Sequence, residues 1–82
     1  MSAKRNLKGY LRHYGYDDGL PGITVIAKQT PTKNIDFYGE MEGKERPALF
    51  FKERESEWLV AMRLEDFIQI YREWEMRDLP FT

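Results

Sequence analysis

The sequence contains no cysteine, so a disulfide framework and a cysteine-based zinc site are both excluded. Its single histidine, His13, excludes a histidine-rich metal centre as well. No apolar run approaches the ~18 residues of a membrane-spanning helix, and the polar start does not predict a signal peptide. We therefore expect a soluble, cytoplasmic protein, and we predict no cofactor.

The chain is short. Its 82 residues predict one compact domain over 1–82, with frayed ends at 1–3 and 79–82. A domain of this size buries roughly 60–65% of the surface that its unfolded chain exposes. Burial of this extent gives only a modest margin of stability, which an oligomer or a binding partner could increase.

Charge is unevenly distributed along the chain, although the net charge is only −1. Residues 1–33 hold six Lys or Arg against two Asp, a balance of +4. Residues 34–82 hold seven Lys or Arg against twelve Asp or Glu, a balance of −5. Such asymmetry can attract two kinds of partner, or it can reflect two ordinary solvated faces.

The last third of the chain carries the strongest structural signal. Residues 58–62 form a short apolar run that predicts a strand. A helix over 64–77 follows, because large apolar residues then recur at helical spacing. These residues are Leu64, Phe67, Ile68, Tyr71 and Trp74. We expect this helix to cover most of one face of a sheet. The predicted core consists of Trp58, Leu59, Phe67, Ile68 and Tyr71.

The rest of the chain predicts two further strands and two further helices. The helices are expected at 4–14 and 34–42, the strands at 23–28 and 48–52, and a hairpin turn at 53–56. The order is α-β-α-β-β-α. This pattern favours an α/β (α+β) fold, with a small mixed β-sheet of about three strands packed by two main helices.

Two segments carry a family resemblance, GLPGI at 19–23 and WLVAMRLED at 58–66. With them, about residues 4–76 resemble small phage-encoded Holliday junction resolvases of the PD-(D/E)XK nuclease superfamily. The chain looks like a shortened version of these proteins. The resemblance implies a reduced nuclease-like fold and, as ancestral chemistry, magnesium-dependent cutting of branched or duplex DNA.

The residues that this chemistry needs are depleted. The family places an Asp before a strand and a Glu-x-Lys on it, so that Glu and Lys share one strand face near the metal. Here the Glu position is Ile26, and Lys28 is retained. Asp17 or Asp18 stands upstream, and residues 4–14 contain no acid to match the family's first helix. We interpret Asp18, Ile26 and Lys28 as a vestigial site that binds no metal.

No other catalytic arrangement replaces it. The sequence has no glycine-rich phosphate loop, no nucleophile elbow and no paired catalytic acids with a nucleophile beside them. We therefore predict that the protein is not an enzyme. The alternative is a residual magnesium-dependent endonuclease.

Two kinds of binding surface remain as hypotheses. An acidic surface would engage a basic protein, and it would consist of Glu53, Glu55, Glu57, Glu65 and Asp66. In alternating strand positions, the three hairpin acids would project to one face. A basic surface would contact DNA, and it would consist of Arg5, Lys8, Arg12 and Lys28.

The first hypothesis predicts an inhibitor of a host nucleic-acid-processing or defence complex, such as a CRISPR effector. Small anti-CRISPR proteins act in this way. The alternative is a DNA-binding protein or a residual structure-specific endonuclease like the resolvases. Plain solvated charge accounts for the acidic surface nearly as well as a partner does, and it accounts for the basic face of the first helix better than DNA contact does.

Overall fold

The computed structural model of the protein describes residues 2–77 and shows a small α+β fold. Three α-helices and a three-stranded mixed sheet confirm the predicted fold class. In chain order the elements are α1 (Ala3–His13), β1 (Thr24–Gln29), a 3-10 turn (Thr32–Asn34), α2 (Phe37–Met41), β2 (Pro47–Lys52), β3 (Leu59–Met62) and α3 (Leu64–Arg77). Frayed ends are predicted at 1–3 and 79–82, and of these Met1 and 79–82 lie outside the described residues.

Polar side chains cap two of the helices. The Ser2 hydroxyl accepts a hydrogen bond from the Arg5 backbone N–H at 3.1 Å, which satisfies one of the free donors at the start of α1. Asp36 does the same for α2, where it accepts from the Gly39 N–H at 3.0 Å. Helix α1 stops before Gly15, whose φ of 92° lies in the left-handed region that favours glycine at helix ends.

The sheet has the order β1-β2-β3, with β2 parallel to β1 and antiparallel to β3. Helix α1 lies on one face, where Asn6 donates to the Gln29 side chain at 2.6 Å. Helix α2 lies on the other face, where the rings of Phe37 and Phe51 meet edge to face at 5.3 Å. Side chains alternate along a strand, so odd-numbered residues of β1 face α1 and even-numbered ones face α2.

The core lies on both faces of the central strand, because Ala48 is in register with Val25 on the α1 side and Leu49 is in register with Ile26 on the α2 side. Leu7 of α1 is 2% exposed, and Leu49 of β2 is fully buried beside Pro47 and Ala48. The predicted core was wrong, because Leu59, Phe67, Ile68 and Tyr71 are all 39% exposed or more. Trp58 is half-buried and precedes β3 instead of starting it.

Helix α3 turns its polar side toward the body of the protein. The Gln69 side chain accepts from Arg46 at 2.9 Å, and Ile70 and Glu73 line a groove beside Met62 of β3. The apolar stripe points away, so the prediction that α3 covers a sheet face was wrong. One residue, Arg63, separates β3 from α3. Connections between strands and helices usually have two to six residues, so this short linker restricts how α3 can turn its apolar stripe toward the sheet.

Candidate functional site

The strand face that carries Ile26 and Lys28 is covered by α2. Lys28 Nζ lies 2.8 Å from Glu40 Oε2, and the two side chains are 38% and 30% exposed. Ile26 lies in register with the buried Leu49. An aliphatic side chain and a neutralised ammonium group therefore occupy the place where the resemblance puts metal-binding chemistry.

Asp18 does not join these residues. The next residue, Gly19, lines an apolar hollow together with Leu7 and Val25, on the α1 side of the sheet. Lys28 lies on the α2 side. Within residues 2–77, no group of three or more acidic or histidine side chains is placed to hold a metal ion. The sheet thus separates the segment that carries Asp18 from Ile26 and Lys28, which share one strand face.

The acidic hairpin is built differently from the prediction. Strand β2 ends at Lys52 and β3 starts at Leu59, so Glu53, Glu55 and Glu57 belong to a loop and do not alternate along a strand. The loop is held by Ser56, whose hydroxyl accepts from the Glu53 N–H at 3.1 Å and donates to the Glu53 carbonyl at 2.8 Å. Its shape is therefore fixed by local hydrogen bonds.

Each hairpin acid has a different environment. Glu53 Oε2 accepts from the Thr32 hydroxyl at 2.8 Å and from the Thr32 backbone N–H at 3.3 Å, so it ties the hairpin to the loop after β1. Glu55 is exposed, with a φ of 61°. Glu57 is also exposed and lies close enough to Tyr10 to affect its ionisation. Glu55 and Glu57 are therefore the hairpin acids that face solvent.

The remaining predicted acids lie elsewhere. Glu65 and Asp66 follow the far end of β3, and four strand residues span about 13 Å. Glu65 is exposed, whereas one Asp66 carboxylate oxygen is enclosed and has no hydrogen-bond partner among the described residues. The five acids therefore form two separate groups instead of one surface.

The predicted basic residues are also divided by the sheet. Arg5, Lys8 and Arg12 are exposed on α1, and Lys4 lies on the same side of this helix. Lys28 lies on the opposite face of the sheet, paired with Glu40. The α1 residues form a short row of cations to which Lys28 does not belong.

Sequence reasoning missed the most conspicuous surface, the outward stripe of α3. The rings of Phe67 and Tyr71 stack at 6.3 Å, and those of Tyr71 and Trp74 lie 5.4 Å apart. These three side chains are 50%, 46% and 55% exposed, and Leu64 is 70% exposed. The single-residue linker at Arg63 was the signal that could have revealed this orientation.

No family model matches the sequence, no curated protein is detectably similar to it, and no solved structure matches it. The resemblance to resolvases therefore depends on the sequence motifs alone. Among residues 2–77, no helix has the length and apolar character needed to cross a membrane.

Proposed function

We propose that the protein is a non-catalytic binding domain that inhibits a host nucleic-acid-processing or defence complex in the cytoplasm, as small anti-CRISPR proteins do. One observation carries the proposal. Ile26 replaces the carboxylate that a nuclease of the resembled family needs, and Lys28 beside it is already paired with Glu40 at 2.8 Å. A nuclease-like scaffold without this chemistry would suit a role in binding.

The hairpin over 53–57 supplies the binding surface. It carries three carboxylates against one arginine, and all five of its residues are exposed. The bonds from Ser56 and Thr32 hold its shape, so little ordering is needed on binding. Negative charge presented in this way complements the basic grooves in which nucleic-acid-binding enzymes hold their substrates.

The test measures how tightly the protein binds purified CRISPR effector–guide complexes and whether it inhibits their activity. The Glu55→Lys/Glu57→Lys variant reverses the two solvent-facing acids and leaves the Glu53–Thr32 bonds intact. We expect a slower association rate, by about tenfold at low salt, with little change in dissociation. The matched control, Glu42→Lys/Glu45→Lys, makes the same charge change at two exposed positions away from the hairpin. Equal losses in both variants, or no inhibition of any complex, would overturn the proposal.

A second candidate function, DNA binding without cleavage, is favoured by α1. Lys4, Arg5, Lys8 and Arg12 lie along one side of this helix, and α1 contains no acidic residue. A mobility-shift assay on four-way junctions and duplexes tests it. Each phosphate contact adds about −0.9 to the slope of log affinity against log salt. A salt-sensitive shift that Arg5→Ala/Lys8→Ala/Arg12→Ala abolishes, with no protein partner, would favour this candidate over the first.

A further inference from the structure

Two exposed tyrosines stand side by side at the end of α1. Tyr10 lies in the last turn of this helix, and Tyr14 follows it directly, so the two side chains leave the same side. They are 45% and 62% exposed. Their ring centroids lie 5.3 Å apart, with 56° between the ring planes. A ring attracts a cation that lies within ~6 Å of its centroid, so one cation can meet this condition for both rings at once.

The row of cations on α1 lies on the other flank of the helix. An α-helix turns by about 100° per residue. Tyr10 therefore lies about 60° from the buried Leu7 in one direction, whereas Lys4 and Lys8 lie about 60° and about 100° from it in the opposite direction. The buried side of α1 thus separates the tyrosines from these lysines.

Within residues 2–77, no cation of the chain lies over the tyrosine pair. The cation–ring contact in this part of the chain joins Lys52 to Trp58, where Nζ lies 5.6 Å from the ring centroid. The His13 ring stands at 88° to that of Tyr14 with centroids 5.4 Å apart, a favourable edge contact. The chain therefore uses cation–ring chemistry elsewhere and leaves the tyrosine pair for another molecule.

Glu57 places negative charge beside the tyrosine pair. This residue is exposed, and it forms no ion pair among residues 2–77. The pKa of Tyr10 is raised chiefly by Tyr14, and the charge of Glu57 adds to this effect, so the carboxylate lies near the rings. Negative charge attracts a cation and repels phosphate. The pair therefore suits a cationic side chain better than the stacked bases of a nucleic acid.

We propose that Tyr10 and Tyr14 form a binding site for one arginine side chain of the basic protein that the acidic hairpin attracts. The inference rests on the proposed function for the source of that arginine. A guanidinium group is planar, is less strongly hydrated than an ammonium group and stacks on aromatic faces, so arginine fits the ring pair better than lysine.

The tyrosine pair and the hairpin acids have different roles in this interface. Aromatic and arginine side chains dominate binding energy at protein interfaces, whereas exposed charges mainly affect the association rate. Tyr10 and Tyr14 therefore slow dissociation of the partner, and Glu55 and Glu57 speed its association.

Binding of hexa-arginine and hexa-lysine peptides to the full chain tests the site without a partner protein. By calorimetric titration at low salt, the wild type should bind hexa-arginine about fivefold more tightly than hexa-lysine. The Tyr10→Leu/Tyr14→Leu variant should lose most of this preference, because leucine keeps apolar bulk but has no ring. Tyr10→Phe/Tyr14→Phe keeps both rings and should retain it. The control, Tyr38→Leu, makes the same change at a 91% exposed position of α2 and should also retain it.

NMR of the wild type gives a second readout that does not depend on how the variants fold. Added hexa-arginine should shift the ring resonances of Tyr10 and Tyr14 and leave those of Tyr38 in place. Equal shifts of all three rings would contradict a specific site.

Three titration results would overturn the proposal. These are equal affinity of the wild type for both peptides, a preference that Tyr10→Leu/Tyr14→Leu keeps, and an equal loss of preference in Tyr38→Leu. Ring-dependent binding of an oligothymidine strand, tighter than that of hexa-arginine, would also overturn it and assign the tyrosine pair to base stacking.

Failure of the arginine site is distinguishable from failure of the proposed function. A ring-dependent arginine preference without inhibition of any effector complex would contradict the proposed function and leave the site standing. Conversely, the Tyr10→Leu/Tyr14→Leu variant could inhibit an effector complex and dissociate from it as slowly as the wild type. That result would support the proposed function and overturn the site.

Discussion

Lys28 and Glu40 form an ion pair of 2.8 Å that joins β1 to α2. Both side chains are about one-third exposed, so the pair contributes about 1 kcal/mol or less to stability. The pair matters more for the chemistry of Lys28 than for stability. The Lys28 ammonium group is directed at a carboxylate of the same chain, on a strand face that carries Ile26 where the resembled nucleases carry Glu.

The first prediction is that the protein does not hydrolyse DNA. With Mg²⁺ or Mn²⁺, four-way junctions and duplexes should stay intact at stoichiometric protein in a gel-based cleavage assay. Ile26→Glu alone should not create activity, because Asp18 lies on the other side of the sheet. Reproducible cleavage that disappears in the Lys28→Ala variant would contradict this prediction and support the endonuclease alternative.

The second prediction contrasts the core with the exposed aromatic side chains of α3. Leu49→Ala should lower the free energy of unfolding by about 2–5 kcal/mol, because Leu49 is fully buried. Phe67→Ala removes a side chain that is half exposed, so the loss should be about 1 kcal/mol or less for the monomer. Urea denaturation at several protein concentrations separates folding from association. Equal losses at high dilution would mean that Phe67 is buried in the monomer.

The elements and their order could be predicted from the sequence because each depends on local pattern. Alternating and helical periodicity identified the strands and main helices, and alternation correctly placed Ile26 and Lys28 on one strand face. The orientation of α3 could not be predicted in this way. Periodicity shows that a helix has an apolar stripe, but the short linker at Arg63 restricts how that stripe can turn toward the sheet.

Pairings between distant elements were also inaccessible to pattern reasoning. The Lys28–Glu40 pair and the bond from Thr32 to Glu53 join residues that are twelve and twenty-one positions apart in the chain. Their partners are set by the crossover between β1 and β2, and no local signal marks them. The sequence also suggested one acidic surface, because it does not show that β3 separates the two acidic groups.

The third prediction concerns the ionisation of Tyr10. The neighbouring Tyr14 side chain, whose ring centroid lies 5.3 Å from that of Tyr10, raises the pKa of Tyr10 above its ordinary value of 10.0, and the nearby charge of Glu57 acts in the same direction. Any stability from this contact is present below about pH 10 and is lost as the pH rises through the folded-state pKa. Tyr14→Phe should lower the Tyr10 pKa in an NMR titration. Tyr38→Phe, at a 91% exposed position, is the control. An unchanged Tyr10 pKa in Tyr14→Phe would refute the contact.

The fourth prediction separates two acids of the hairpin. Glu53→Ala removes the carboxylate that accepts both hydrogen bonds from Thr32, so it should lower the free energy of unfolding by about 1 kcal/mol. Glu55→Ala removes the same charge two residues away, where no contact is lost, and should stay within about 0.5 kcal/mol of wild type.

Combining Glu53→Ala with Thr32→Ala shows whether the contact itself is responsible. If it is, the double variant should lose less than the sum of the two single variants, because each single change already breaks the contact. Chemical denaturation provides all four free energies. Additive losses, or equal effects of Glu53→Ala and Glu55→Ala, would mean that Thr32 does not hold the hairpin. The hairpin would then need to be ordered by its partner, and the binding proposal would lose its preformed surface.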